Sequence, residues 1–447
     1  MRDASNDHWL AREQACLAAV AHRRNDPTFG PVIVRGAGSR VWDADGRAFF
    51  DMTCGYSAAN FGHAFEPLVA VAQRQLRDLT HVTGMPHPGR AELAEQLVRF
   101  CGQANDKVVF NSSGGRAIET AWKAAVQFRP GAIVSISPAY HGRTLATSGL
   151  SDTCRSESLL PAATSYVRRP ANEYAYCAAC PHGLIYPSCR LACQRSLIDW
   201  IGDHHREISA VVVEPALGAR GYIVPPAEVW RQLRQVTRRH GILMIADEIQ
   251  MGLGRCGDWL LSRQQEWTAD LVVLGKSLGG GITPISAVVG RSELLDALPP
   301  GSESETFAAS PLATAIGCEV MRQLATGIWM QRSSEVGHRL AQELSDAIRA
   351  RAWKNCPPRV EVCGASTTLE FISQSPYMDP QAAKSAAIEA RTLAEDLVAA
   401  GLLIHYSGPF STRIVFLPAL TIDDVDLEEI GHRIQAALSS RRPLSLE

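Results

Sequence analysis

The sequence predicts an α/β fold: a large domain built on a mostly parallel sheet, with a smaller α+β domain made from both chain ends. Three observations predict it. In the middle of the chain, short and wholly apolar runs alternate with helical stretches, the pattern of strands covered on both faces. At 447 residues the chain is long for one hydrophobic core. The two ends have a different texture from the middle. The expected division is 1–60 and 326–447 for the smaller domain and 61–325 for the larger.

The elements follow in order. Residues 29–52 read as an antiparallel ribbon, because GSRVWDADGRAFFD sets an Asp-Gly turn between alternating strands. VVF at 108–110 reads as a strand, RAIETAWKAAVQF at 116–128 as a helix, and AIVSIS at 132–137 as the next strand. ISAVVVE at 208–214 is strongly β-branched. A helix at 227–239 closes at Gly241, and strand 242–246 ends before Asp247 and Glu248. LVVL at 271–274 and ISAVV at 285–289 complete the sheet. Residues 333–447 mix helices with short strands. In such sheets, sites lie beyond the carboxyl ends of the strands.

Composition excludes several function classes. Hydrophobic residues make up 46% and charged residues 20%, as in a well-packed soluble protein. A formal net charge of −2 gives no basic excess for nucleic acid. The stretch MRDASNDHWLAREQ has no apolar core and does not read as a signal peptide. No apolar run approaches the ~20 residues that span a bilayer, so no membrane association and a cytoplasmic location are expected. Of twelve cysteines, Cys177, Cys180, Cys189 and Cys193 cluster. Their spacing matches a zinc site only loosely. A loop packed by small residues is the favoured reading, and no metal is expected.

Three strand ends carry the chemistry. Asp247 follows ILMIA, Lys276 follows LVVLG, and VVF feeds NSSGG and then a helix. A sheltered lysine can form an imine with a carbonyl cofactor. A carboxylate can keep a pyridine nitrogen protonated, which makes the ring an electron sink. A Gly/Ser-rich turn at a helix N-terminus offers N–H groups to a phosphate. Singly, each has an ordinary structural explanation: a solvated lysine, a capping acid, a turn. In this order they describe a site for pyridoxal 5′-phosphate (PLP).

Over nearly its whole length the chain resembles the class III aminotransferases of PLP fold type I. The densest match is EPALGARGYIVPPAEVWRQLRQVTRRHGILMIADEIQMGLGRCG, continued by ADLVVLGKSLGGGITPISAVVG. PVIVRGAGSRVWDADGRAFFD, YHGRT and ETFAASPLA add to it. The resemblance implies an aminotransferase with PLP as cofactor, a small-molecule amino donor and a carbonyl acceptor. It makes Lys276 the Schiff-base lysine and the acid/base of the proton shift. Asp247 matches the partner of the pyridine nitrogen, Ile249 the apolar residue under the ring, and Gln250 the contact of the ring hydroxyl. Tyr140 matches the aromatic on the other ring face, followed by His141. Ser113, Gly114 and Gly115 match the phosphate loop. Glu214 matches the acid near Gln250, either catalytic or structural. Thr306 matches a threonine that reaches the phosphate of the neighbouring subunit, which implies a homodimer.

Departures from the family bear on substrate. The loop has Gly115 where relatives carry Ser or Thr, and Arg116 where they carry Glu; Arg116 is expected to point to solvent. Many relatives hold a substrate carboxylate with an Arg three residues before a Pro. Here that position is Val415, with Arg413 two residues away, or ~6–7 Å along a strand. The Glu that neutralises the Arg in relatives is Ala219 here. Arg413 and Arg220 are the candidate replacements. Cys54 and Tyr56 match a pocket-lining segment. An amine or amino-sugar substrate, such as a 6′-oxo aminoglycoside intermediate, is therefore expected. The alternatives are an ω-amino-acid:2-oxo-acid aminotransferase, which the 174–195 segment resembles, and a PLP racemase or epimerase.

Overall fold

The computed structural model describes residues 5–18, 31–152, 167–168, 186–351, 353, 357–371, 380–407 and 411–439. Its largest sheet has seven strands: β4 (Asp106–Asn111), β5 (Ala132–Ser135), β6 (Val167–Arg168), β7 (Ile208–Val213), β8 (Leu243–Asp247), β9 (Leu271–Leu274) and β10 (Ser286–Arg291). Their spatial order is β4-β10-β9-β8-β7-β5-β6. Pairs among β5 to β9 are parallel, whereas β10 runs antiparallel to both β9 and β4. Alternate residues of each central strand enter different cores. Val211, Val213, Met244 and Ala246 pack with Trp230, Leu233 and Leu278. Val212, Ile245, Val273 and Val288 pack with Ala117, Ala121 and Ala124 of the helix Gly114–Phe128. Apolar residues on both faces of a strand require helices on both sides, the reason the runs read as buried strands.

The N-terminal ribbon is β1 (Ile33–Ala37), β2 (Arg40–Asp43) and β3 (Ala48–Asp51). The chain end adds β11 (Arg359–Cys363), β12 (Ser366–Glu370), β13 (Leu402–Leu403), β14 (His405–Ser407) and β15 (Arg413–Phe416). β13 pairs in parallel with β3, so a strand from the far end completes the N-terminal sheet. β11, β12, β15 and β14 form a separate antiparallel sheet. Phe50 and Met52 share one core with Leu340, Leu369, Leu393, Phe416 and Ile430. Arg255 ties these pieces to the large sheet. It is fully buried, and its guanidinium donates to Asn60 Oδ1 (2.6 Å), the Ala365 carbonyl (2.9 Å) and the Pro418 carbonyl (2.8 Å).

Element ends shift from expectation by a few residues. The helix expected at 116 begins at Gly114, because Ser113 accepts from the Arg116 N–H as N-cap. β8 extends to Asp247, one residue past the expected end. Cys177 and Cys180 lie outside the described residues, and Cys189 and Cys193 are half-buried. Among the described residues, no group of three or more His, Cys, Asp or Glu is arranged to hold a metal, and no helix is long and apolar enough to cross a membrane.

Candidate active site

The sheet brings three segments to one edge. Lys276 follows β9 at a positive φ of 44°, held by the tight turn Lys276–Gly279. Its Nζ donates to Gln250 Oε1 at 2.7 Å. Burial pushes the ammonium down to about 8, although Asp247 and Glu214 pull the other way. A lysine in this range supplies neutral amine near physiological pH, as imine chemistry requires.

Asp247 ends β8 and is buried. Its Oδ2 lies 2.8 Å from His141 Nδ1, and its Oδ1 accepts from the Ile249 N–H at 3.2 Å. His141 is buried too, and its Nε2 has no hydrogen-bond partner among the described residues. Glu214 closes the acidic group from the end of β7. Its carboxylate accepts from the N–H of Tyr140 at 2.8 Å and of Gly218 at 3.2 Å. Burial, with help from the Asp247 charge, pushes Glu214 up to about 7, although His141 pulls the other way. A Cβ on Gly218 would lie 2.5 Å from the Gln250 side chain, so the turn after Glu214 abuts Gln250 directly.

The loop expected to hold the phosphate lies between β4 and its helix. A Cβ at Gly114 would come within 2.9 Å of Ile249 Cδ1, so the loop backbone lies directly against the residue expected under the ring. Gly115 faces Thr144 and Thr147. The Ser113 carbonyl accepts from Ser286 Oγ at 2.8 Å, fixing the loop to β10. Tyr140 and His141 follow β5 and reach the same edge.

Several expectations need correction. Arg116 does not point to solvent: its guanidinium meets Glu119 (3.4 Å), Glu303 (3.3 Å) and Glu305 (3.3 Å). Glu305 in turn accepts from Asn111 Nδ2 (2.9 Å), the Ser112 N–H (3.1 Å) and Ser112 Oγ (2.6 Å). Burial opposes its ionisation, but these bonds and Arg116 hold the Glu305 carboxyl below its ordinary range. Arg116 thus balances the acidic segment that carries Thr306. Thr306 is exposed, and its carbonyl accepts from Thr83 Oγ1.

Arg413 is not a free substrate-binding cation. It is fully buried in β15, and its guanidinium bonds to Glu370, to Glu361 at 2.7 Å and to the Gly221 carbonyl at 3.0 Å. Two carboxylates and a carbonyl take three of its five N–H groups, and the side chain has no exposed surface. Cys54 is likewise buried, its thiol pushed up to about 12 by burial and by Asp51. Tyr56 is half-buried, with its ring edge-on to His405 at 4.8 Å. Val415 lies in an apolar cluster with Ala216, Tyr222, Met251 and Cys256. Sequence reasoning passed over Tyr222 and Ser57. Tyr222 hydrogen-bonds Gln250, and its hydroxyl lies 3.0 Å from Ser57 Oγ. Its place in ARGYIVPP, eight residues after Glu214, was the available signal.

A sheltered lysine of lowered proton affinity, a buried acid pinned by a histidine and a glycine cradle at a helix start together fit PLP. The comparisons agree. The family model "Aminotransferase class-III" matches residues 20–438. The 5-aminovalerate aminotransferase of Pseudomonas aeruginosa is 31% identical, covering 95% of this chain and 96% of its own. The 4-aminobutyrate aminotransferase of Escherichia coli is 30% identical, with 88% and 90% covered. The ornithine aminotransferase of Toxoplasma gondii has the same fold, with a TM-score of 0.81 at 23% identity over 98% of this chain and 96% of that one. The chain belongs to the class III aminotransferases, PLP-dependent enzymes of fold type I.

Proposed function

We propose that this aminotransferase moves an amino group between an amine or amino-sugar type substrate and an amino-acid/oxo-acid partner. The observation that carries this reading is Val415. Where the resemblance expects a carboxylate-gripping arginine, a buried valine packs against Tyr222, and Ala219 replaces the acid that would neutralise the arginine. A carboxylate against that wall loses its hydration with nothing in return. The acidic partner still needs a cation, and Arg220 is the candidate. It follows Ala219, its Nε is buried without a hydrogen-bond partner, and no described carboxylate pairs with it. A second reading, an ω-amino-acid:2-oxo-acid aminotransferase, is favoured by the names of the 5-aminovalerate and 4-aminobutyrate relatives.

Lys276 would hold PLP and move the substrate proton, Asp247 would stand at the pyridine nitrogen, Gln250 at the ring hydroxyl, and Ser113, Gly114 and Gly115 at the phosphate. When bound, PLP supplies an electron-poor ring that accepts the electron pair released at the substrate carbon. Asp247, oriented by His141, would hold the ring nitrogen's proton. Ile249 and Tyr140 would exclude water from the two ring faces.

Half-reactions test the substrate. Stopped-flow conversion of the loaded enzyme by a panel of amines, amino sugars, ω-amino acids and glutamate should rank glutamate low. Glutamate as fast as any amine or amino sugar sinks the amino-sugar reading in favour of the ω-amino-acid one. Arg220→Gln should raise KM for the oxo-acid by roughly 10-fold or more, the worth of a hydrogen bond to a charged group. Its kcat should change less.

The enzyme is further proposed to be a homodimer in which Thr306 reaches the neighbouring site. Thr306 stands beside Phe307, which is 67% exposed, and Thr83 of the segment leading to Met85, which is 64% exposed. Exposed large apolar side chains together mark a contact surface. Light scattering should report twice the chain mass, and a fully active monomer would refute this.

A further inference from the structure

Lys276, Gln250, Tyr222 and Ser57 form one hydrogen-bonded chain running from the sheet edge into the N-terminal segment. Lys276 Nζ donates to Gln250 Oε1 at 2.7 Å. Gln250 Nε2 bonds the Tyr222 hydroxyl, and that hydroxyl lies 3.0 Å from Ser57 Oγ. Ser57 is 1% exposed, Tyr222 2% and Gln250 9%, so water offers these groups little alternative.

Such a chain has a direction. An ammonium has no acceptor, so a protonated Lys276 requires the amide oxygen of Gln250. The amide nitrogen then faces Tyr222, whose oxygen accepts from it, and the Tyr222 proton goes to Ser57. Reversing the chain turns the amide over. Ser57 would donate to Tyr222, Tyr222 to Gln250 Oε1, and the amide N–H groups would face the site. A tyrosine hydroxyl allows both directions because it is donor and acceptor at once.

The fold goes to some length to hold Tyr222 there. Tyr222 sits at φ 57° after Gly221 at φ 92°, a left-handed pair that β-branched residues would not tolerate. Arg413 donates to the Gly221 carbonyl at 3.0 Å and so fixes that turn from behind. Val415, Ala216, Met251 and Cys256 pack around the ring. Ser57 is held at φ 70° in the turn that includes Cys54 and Tyr56, both also left-handed. Left-handed conformations at four non-glycine residues cost energy and persist where the surroundings impose them.

We propose that Tyr222 is a positioning residue that fixes which amide atom Gln250 turns toward Lys276, and through it the proton affinity of that lysine. The proposal rests on Lys276 being the cofactor lysine. It assigns Arg413, discarded above as a ligand-binding group, to the support of Tyr222. The charged groups facing Lys276 are Asp247 from β8 and Glu214 from the end of β7, with His141 behind Asp247; Cys54 and Arg255 face Tyr222. None of these is altered by the variants below.

The cofactor-free protein provides the test. Competitive acetylation by acetic anhydride across a pH series, read by peptide mass spectrometry, gives the midpoint at which Lys276 becomes nucleophilic. In Tyr222→Phe the amide loses its partner and Lys276 its fixed acceptor, so the charged form is less favoured. The midpoint should fall by roughly one pH unit. Ser57→Ala should move it in the same direction, because the Tyr222 proton then turns to Gln250 Oε1 and reverses the amide. A purely structural role for Tyr222 would lower melting temperature and leave both midpoints unshifted, which would overturn the proposal. Should Tyr222→Phe fail to fold, Ser57→Ala decides alone. Borohydride trapping of the loaded wild-type enzyme separates the two layers. A trapped link on another lysine overturns the role of Lys276, whereas unshifted midpoints with the link on Lys276 overturn only the role of Tyr222.

Discussion

Lys276→Ala is expected to abolish transamination, with a loss of at least about 10⁴-fold, since both the covalent hold on the cofactor and the general acid/base vanish together. PLP should still bind more weakly through the phosphate loop, whose N–H groups the substitution leaves in place. The visible band of lysine-bound cofactor should disappear, and borohydride should trap no link at this position. A variant that retains the trapped link on another lysine would remove Lys276 from its role. Folding should survive the change, because it removes a buried ammonium. In the wild type that ammonium is pushed from 10.5 down to about 8, so the unfolded chain binds more protons than the folded one between those values. Stability of the cofactor-free wild type should therefore rise with pH through this window, by roughly 3 kcal/mol at most. Lys276→Ala should lack that rise, which chemical denaturation at pH 7.5 and 10.5 would detect.

Asp247→Asn should cost about 3–4 kcal/mol of transition-state stabilisation, or roughly 10²- to 10³-fold in kcat. A neutral amide cannot hold a proton on the pyridine nitrogen, so the ring withdraws electrons poorly. A second effect comes from His141, whose Nδ1 lies 2.8 Å from Asp247 Oδ2. With the carboxylate gone, a buried histidine whose other ring nitrogen has no partner among the described residues loses a charged acceptor. The two effects separate in single-turnover experiments. The chemical step should slow in Asp247→Asn at saturating cofactor, whereas weakened cofactor retention would appear as a higher PLP requirement. Turnover near the wild-type rate would mean that another acid serves the ring nitrogen, and Glu214, with its carboxyl pushed up to about 7, would be the group to examine.

The strands and the segments that bear the chemistry were legible because their signals are local. Four buried apolar residues in β8 followed by Asp247, and four in β9 followed by Gly275 and Lys276, leave little freedom in where those side chains emerge. A parallel sheet with apolar residues on both faces then sends consecutive strand ends to one edge. The turn at 113–115 was legible for a similar reason, since Ser113 caps the helix that its glycines begin. The antiparallel direction of β10 was not: its apolar run has the same composition as its parallel neighbours, and direction depends on the connection that precedes it.

Charges were the least legible part. By residue type Arg413 looked like a spare cation for a substrate, yet Glu361 and Glu370 lie 52 and 43 residues away in sequence and satisfy it in space. Arg116 looked solvent-facing until Glu303 and Glu305 folded against it. By itself, the sequence determined the family and the cofactor chemistry and singled out Lys276 and Asp247 as the candidate lysine and acid, because those depend on residue type within one strand–turn unit. Only the tertiary structure decided which arginine lacks a carboxylate partner among the described residues, what surrounds Val415, and that Ser57 and Tyr222, 165 residues apart, form one chain with Gln250 and Lys276. A charge or hydroxyl acts through whatever lies within about 3 Å of it, and that neighbour is set by long-range packing rather than by the residues beside it in the chain.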